Sequence, residues 1–220
     1  MEYTVPIHSI RQVTHNVRQY RLEKPAGYQF LPGQATEVSI NHPEWINERR
    51  PFTFTCLNDD PYLEFIIKSY PHEGVTKKLG TLKEGDELII RDVWGTINYK
   101  GEGYFIAGGA GITPFIAILR NLKKENKLNG NQLFFSNQTP EDIIMKEELE
   151  NILGSQVLFT TTRKQDNGYL FGHIDEAFLK KHVTDFSKHF YMCGPDAMVQ
   201  GIQNTLYHLG VQPETLVFEQ

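Results

Sequence analysis

Four short segments of this chain carry residue types able to hold an anion or a flat ring. The first is Arg49-Arg50-Pro51-Phe52-Thr53-Phe54-Thr55. A guanidinium pairs with phosphate oxygens, an aromatic ring covers a flat heterocycle, and a threonine hydroxyl bonds a ring edge. At a strand's period of two, Phe52 and Phe54 share one face and Thr53 and Thr55 the other. The same pattern also fits phenylalanines in a core and arginines in solvent. The second segment is His72-Glu73-Gly74-Val75-Thr76-Lys77-Lys78-Leu79. A glycine before a short helix, with Thr76 in the first turn, offers N–H groups and a hydroxyl to a diphosphate. Plain helix capping explains that segment equally well.

The third segment is YFIAGGAGITP at 104–114. An apolar strand runs into Gly108, Gly109 and Gly111, and Thr113-Pro114 then opens a helix. Glycines let a backbone approach a phosphate, and a helix start supplies unpaired N–H groups. The spacing is not the GxGxxG fingerprint, so a tight turn without a ligand is the competing reading. The fourth is Met192-Cys193-Gly194-Pro195-Asp196. A lone cysteine is more often a small buried residue, yet this one ends a strand beside a glycine turn, where ligands bind. The eight histidines show no metal-ligand spacing, and His182 and His189 read as surface positions. GxSxG, HExxH and GxxxxGK[ST] do not occur, which removes the common hydrolase, zincin and nucleoside triphosphatase readings.

The elements that must position these segments fall into two rhythms. Alternating or apolar runs at 3–10, 17–23, 36–40, 52–56, 63–70 and 87–92 are divided by turn residues. Only one short helix, 75–82, interrupts them. Strands at this spacing predict an antiparallel six-stranded Greek-key β-barrel. From Gly103 onward, strands at 104–107, 132–136, 157–161, 189–192 and 215–218 alternate with helices at 114–125, 140–153, 175–182 and 196–209. That alternation predicts an α/β domain with a parallel, doubly wound sheet. The division falls at Lys100-Gly101-Glu102-Gly103, giving domains 1–100 and 101–220.

A chain of 220 residues is long enough for two such domains. Cys56 and Cys193 supply neither a disulfide framework nor a metal or cluster motif, so redox chemistry here needs an organic cofactor. The net charge of −5 argues against nucleic acid and anionic membrane as main partners. No apolar run approaches the length of a membrane helix. The first residues lack the basic-then-apolar pattern of a secretory leader, so a cytoplasmic location is expected.

Taken in order, RPFT at 50–53, GVTKKL at 74–79, GGAGITP at 108–114, NQTPEDI at 137–143 and CGPDAM at 193–198 resemble the ferredoxin–NADP reductase superfamily. The flavodoxin reductases and cytochrome b5 reductase-like flavoproteins are the nearest in pattern, and the likeness spans nearly the whole chain. It implies FAD in the first domain and NADPH or NADH in the second. Arg50, followed by Pro51, matches the arginine that binds the FAD diphosphate. Phe52 stands where an aromatic, usually tyrosine, stacks on the isoalloxazine, and Thr53 matches the hydroxyl near flavin N5. Ile67 and Lys68 lie in the strand that flanks the flavin, and Gly74, Val75 and Thr76 match the turn that holds the diphosphate. Gly109, Gly111, Thr113 and Pro114 lie where the dinucleotide is seated, and Cys193, with Gly194 and Pro195, beside the nicotinamide. Thr53 and Cys193 are the residues expected nearest the reacting atoms, and no metal is expected.

The implied reaction moves a hydride from NAD(P)H to FAD across an interdomain cleft, and then electrons to an acceptor, flavodoxin or ferredoxin. The alternatives are reduction of ferric chelates or quinones, and a non-catalytic FAD-binding subunit of a larger complex. A monomer is expected. Phe52 departs from the usual tyrosine, and Asp92-Val93-Trp94-Gly95 replaces a Gly-Pro-x-Gly turn. The sequence closes with Val217-Phe218-Glu219-Gln220, so Phe218 covers the second flavin face or that face is open. Thr162-Arg163 and His173 occupy the places of a 2′-phosphate clamp, which favours NADPH, whereas Asn137-Gln138-Thr139 resembles the NADH-using members. Arg163 also fits a solvated loop position.

Overall fold

The computed structural model describes residues 1–95 and 97–218, and the chain divides into two compact units, Met1–Gly95 and Thr96–Gln220.

In the first unit, strands β1 (Tyr3–Thr14), β2 (Val17–Glu23), β3 (Ala35–Ile40), β4 (Arg50–Thr53), β5 (Tyr62–Lys68) and β6 (Glu87–Trp94) form one antiparallel sheet, and helix α1 (Val75–Leu79) lies between β5 and β6. The order is β4-β3-β6-β1-β2-β5. Its neighbours β1/β6, β2/β5 and β3/β6 are the long-range pairings that a Greek key requires. Past Thr53 the chain leaves β3, and the Thr55 N–H donates to the Glu64 carbonyl of β5 at 2.9 Å. That bond closes the sheet into a barrel. Leu22, Phe54, Leu63, Phe65, Leu88 and Ile90 fill the interior without exposure.

The expected strand at 52–56 is therefore shifted. Pairing runs from Arg50 to Thr53, and the next residues cross the seam. Phe52 and Phe54 both pack on the barrel core, as alternation requires. The two threonines differ: Thr53 is half-buried and Thr55 fully buried, its hydroxyl donating to Glu64 Oε1 at 2.9 Å. Burial pushes the Cys56 thiol, next along, up to about 12.

In the second unit, β7 (Gly103–Gly108), β8 (Gln132–Asn137), β9 (Val157–Thr161), β10 (Leu170–Phe171), β11 (His189–Cys193) and β12 (Leu216–Phe218) alternate with α2 (Thr113–Lys124), α3 (Lys146–Leu153), α4 (Glu176–His182) and α5 (Asp196–His208). All the strand pairs are parallel, in the order β10-β9-β8-β7-β11-β12. The chain winds outward from β7 through β8 and β9, then returns to lay β11 on the opposite side of β7. The carboxyl ends of β7 and β11 thus flank the switch point, where such sheets bind ligands.

Two elements differ from expectation. The pattern at 140–153 is not one helix. Thr139 and Asp142 form a capping box around a single 3-10 turn, Pro140–Asp142, and Ile143 is extended. Ile143 and Ile144 enter the core before α3 starts behind Met145, whose φ is +54°. Strand β10 carries no sequence signal because it is only two residues long. The histidines also differ from a surface reading. His182 packs 4.5 Å from the Phe178 ring, and burial lowers its pKa. His189 buries Nδ1 without a hydrogen-bond partner.

Candidate functional site

The candidate residues of the barrel sort by what already occupies them. Arg49 Nη2 lies 3.5 Å from Glu2 Oε1, and Nη1 lies 3.4 Å from Glu37 Oε2. Arg50, one position on, is exposed, and its recorded bond is Nη1 to its neighbour's carbonyl, Arg49 O, at 2.6 Å. No carboxylate pairs with it among the described residues. Of two adjacent guanidinium groups, one is committed to the fold and one is available to an anion. The ambiguity of the Arg-Arg pair in the sequence is resolved by cross-strand carboxylates that the sequence does not mark.

Beside Arg50, Pro51 is exposed and Phe52 half-buried, its ring 6.3 Å from that of Phe65. The Thr53 hydroxyl has no recorded partner among the described residues. Ile67 is buried in the barrel core, as is Val75. Their side chains therefore do structural work, and only their backbone groups can meet a ligand. Lys68 is half-buried and makes no recorded ion pair. Gly74 has φ +152°, and a Cβ built there meets nothing within 4 Å. A left-handed backbone and open space beside the first N–H groups of α1 fit a phosphate. The Thr76 carbonyl accepts from Ser69 Oγ at 3.1 Å, which ties α1 to the segment just past β5. An available guanidinium, an open glycine turn and an unengaged threonine hydroxyl fit the diphosphate and flat ring of FAD.

The second set gathers at the switch point. Ala107 of β7 is in register with Cys193 of β11. The two strand ends then interlock through missing side chains. A Cβ on Gly111 would sit 2.2 Å from the Cys193 carbonyl oxygen, and one on Gly108 would sit 2.5 Å from Met198 Sδ. Gly194 is equally close, 3.0 Å from the Gly108 nitrogen. Gly109 differs. Its φ is +52° and a Cβ there meets nothing within 4 Å, so this glycine borders open space. Thr113 Oγ1 donates to the Ala110 carbonyl at 3.1 Å, and Pro114 is buried in the first turn of α2. Both shape the turn. The Pro195 carbonyl accepts from the Met198 N–H at 2.8 Å to start α5, and Cys193 is half-buried beside it.

Farther along the same edge, the Asn137 carbonyl accepts from the Thr162 N–H at 3.0 Å, and the Gln138 carbonyl from the Arg163 N–H at 2.9 Å. Arg163 is exposed and makes no recorded ion pair among the described residues, whereas Lys164 pairs with Glu141 and Asp166. The Lys164 ammonium holds the Glu141 carboxyl down at about 2. His173 is exposed. The Asn137 amide is buried with both Oδ1 and Nδ2 unpaired. Asn137 was quoted in the NQT motif without an assignment, and only the structure shows its amide unpaired. Phe218 is in register with Met192 and half-buried against the core of its own unit. Glu219, the other terminal candidate, lies outside the described residues. No group of three His, Cys, Asp or Glu able to hold a metal occurs among the described residues.

Known families divide at the same place. Residues 4–99 match the family model of the oxidoreductase FAD-binding domain, and residues 105–204 that of the oxidoreductase NAD-binding domain. The chain is 30% identical over 227 residues to NADH-cytochrome b5 reductase 1 of Coccidioides immitis, covering 93% of this chain and 74% of that protein. It is 26% identical over 216 residues to the ferredoxin–NAD(P)(+) reductase component of the naphthalene 1,2-dioxygenase system of Pseudomonas putida, covering 94% and 65%. The solved FAD/NAD-binding domain of nitric oxide dioxygenase from Vibrio cholerae superposes with a TM-score of 0.87 at 20% identity, covering 98% and 97%, which establishes the shared fold. No helix among the described residues is long and apolar enough to cross a membrane.

Proposed function

The chain belongs to the FAD- and NAD-binding oxidoreductases of the ferredoxin–NADP reductase superfamily, and on that premise we propose that it carries electrons from NAD(P)H through FAD to a small electron-carrier protein, flavodoxin or ferredoxin. The available Arg50 guanidinium beside the committed Arg49 is the observation that carries the barrel half of this reading. In it, Arg50, Lys68 and the turn of Gly74, Val75 and Thr76 hold the FAD diphosphate. Phe52, with Pro51 before it, lies against the flavin ring, Ile67 contributes backbone, and the Thr53 hydroxyl bonds the ring edge near N5. FAD supplies a two-electron acceptor able to release electrons singly.

In the second unit, Gly109 leaves room for the dinucleotide diphosphate while Gly111, Thr113 and Pro114 fix the turn. Cys193, Gly194 and Pro195 border the nicotinamide. These residues bind and orient, so the rate comes from positioning more than from acid–base power. Arg163 takes the 2′-phosphate, which makes NADPH the preferred coenzyme. Phe218 already packs within its own unit, and covering a flavin face would be a second task for its exposed side.

Similarity to a cytochrome b5 reductase supports a second acceptor, a small haem protein. Purified protein tests the reading. A yellow preparation that NADPH or NADH bleaches without oxygen is expected. Reoxidation by ferredoxin or flavodoxin, faster than by cytochrome b5, supports the first acceptor. A preparation that neither binds FAD nor consumes NAD(P)H overturns the whole reading.

A further inference from the structure

One row of the parallel sheet crosses its carboxyl edge. Gly108 is in register with Ser136, which puts Gly109 level with Asn137. Asn137 is in register with Thr161, and Thr161 with Phe171. The open glycine turn, the unpaired amide and Phe171 thus follow one another across adjacent strands, each about 4.8 Å from the next. Phe171 ends β10, the outermost strand, and its side chain is the conspicuous one: a phenylalanine 55% exposed at the ligand-binding edge. Tyr169, two residues earlier, faces the Phe159 ring at 6.5 Å and is covered by the Lys146 ammonium at 5.0 Å. Period two gives Phe171 the same face, without a covering partner.

The neighbourhood is cationic on one side of that ring. The Gly172 N–H donates to the Thr161 carbonyl at 2.9 Å, and Thr161 Oγ1 donates to the Lys164 carbonyl at 2.7 Å. Together these hold the loop bearing Arg163 beside the end of β10. A single exposed apolar residue needs no explanation in general. Here it stands in line with a diphosphate turn, a 95%-buried amide lacking partners and an uncommitted arginine.

We propose that Phe171 is the platform on which the adenine ring of the pyridine dinucleotide stacks, at the far end of the register row Gly109–Asn137–Thr161–Phe171. This rests on the dinucleotide reading given above. With the nicotinamide beside Cys193, between β7 and β11, the adenosine half extends over β8 and β9 toward β10, and Phe171 is the exposed aromatic that it reaches. The unpaired Asn137 amide lies along that path and serves the linking ribose or phosphate when the side chain turns outward.

The test is Phe171→Ala in the FAD-loaded protein, with Phe171→Trp as the conservative partner. Titration calorimetry with ADP-ribose or 2′-phospho-ADP-ribose, whichever binds the wild type better, should give a dissociation constant about 10-fold higher for the alanine variant, as loss of one base-stacking contact requires. The KM for the full coenzyme should rise by a similar factor with kcat unchanged. Turnover of reduced nicotinamide mononucleotide, which lacks the adenosine half, should be unaffected, and tryptophan should restore the binding. An unchanged dissociation constant in F171A, or equal losses with both substrates, overturns the proposal. A wild-type protein that binds neither probe and oxidises neither coenzyme overturns the underlying reading instead.

Discussion

Gly109 and Gly111 stand two residues apart in the same turn, yet adding one methyl group to each should have different consequences. At Gly111 the new Cβ would lie 2.2 Å from the Cys193 oxygen, 2.4 Å from its carbonyl carbon and 2.6 Å from the Gly194 nitrogen. All three are backbone atoms at the end of β11, so no side chain can rotate away. The turn and the strand end must separate by roughly an ångström, and overpacking that moves backbone costs about 3 kcal/mol or more. At Gly109 nothing lies within 4 Å, and the cost is that of a left-handed alanine at φ +52°, about 1 kcal/mol. Thermal melts followed by helical circular dichroism, a signal carried mainly by α2–α5, should then fall by roughly 10 °C for Gly111→Ala and about 3 °C for Gly109→Ala. Binding should rank the other way among folded molecules. The Gly109→Ala methyl points into the space assigned to the diphosphate, so its NAD(P)H dissociation constant should rise about 10-fold, the equivalent of 1.4 kcal/mol. Equal losses of melting temperature would refute the interlock of the two strand ends. A Gly109→Ala protein that binds coenzyme normally would refute the seat of the diphosphate.

Arg50→Ala should weaken FAD binding by roughly 10- to 100-fold, the loss of a charge-assisted hydrogen bond, whereas Arg49→Ala should change it little and lower stability slightly; equilibrium dialysis separates the two, and the reverse order defeats the assignment. Thr53→Ala should slow flavin reduction in stopped flow about 10-fold with Thr53→Ser restoring the rate, in the range of one lost hydrogen bond, and an unchanged rate removes the hydroxyl from the reaction. Burial holds the Cys56 thiol up at about 12 against an ordinary 9.0. Between those values the native chain keeps a proton that the unfolded chain releases, so stability is full below about pH 9 and falls as pH rises, at up to about 1.4 kcal/mol per pH unit. Cys56→Ala should flatten that alkaline loss in urea melts without abolishing it, because Tyr28 is also pushed up to about 12 by burial; identical slopes would refute the linkage.

The rhythm of the two halves was legible because hydrophobic period and turn residues are local properties. Runs such as 17–23 and 157–161 coincide with β2 and β9 to the residue. Strand β10 was not legible, since two residues carry no period and their pairing is imposed by β9. The break at Ile143 follows from core demand: two adjacent isoleucines must both be buried, and a continuous helix cannot turn both inward. For the site, the residue types of the phosphate turns were readable, but their occupancy was not. Whether Arg49 or Arg50 is available depends on Glu2 and Glu37, on other strands. Whether a glycine is there for space or for packing depends on atoms more than 80 residues away in the chain, as Gly111 and Cys193 illustrate.

That last dependence explains how a turn without the dinucleotide fingerprint can still build a coenzyme seat. In the fingerprint motif, successive glycines serve the tight turn, the approach to the phosphate and the packing of helix on strand. Here the same duties are split between two segments that meet at the switch point. Gly108 and Gly111 admit β11 and α5, Gly194 admits β7, and Gly109 alone faces open space. Such a seat forms only when β7 and β11 pair in the observed register, Ala107 opposite Cys193. Binding is thereby tied to correct folding of the sheet centre: any change that slips this register removes the turn's shape before it touches a ligand-facing atom. Substitutions at Gly108 or Gly194 should accordingly lose stability and coenzyme affinity together, whereas those at Gly109 separate the two.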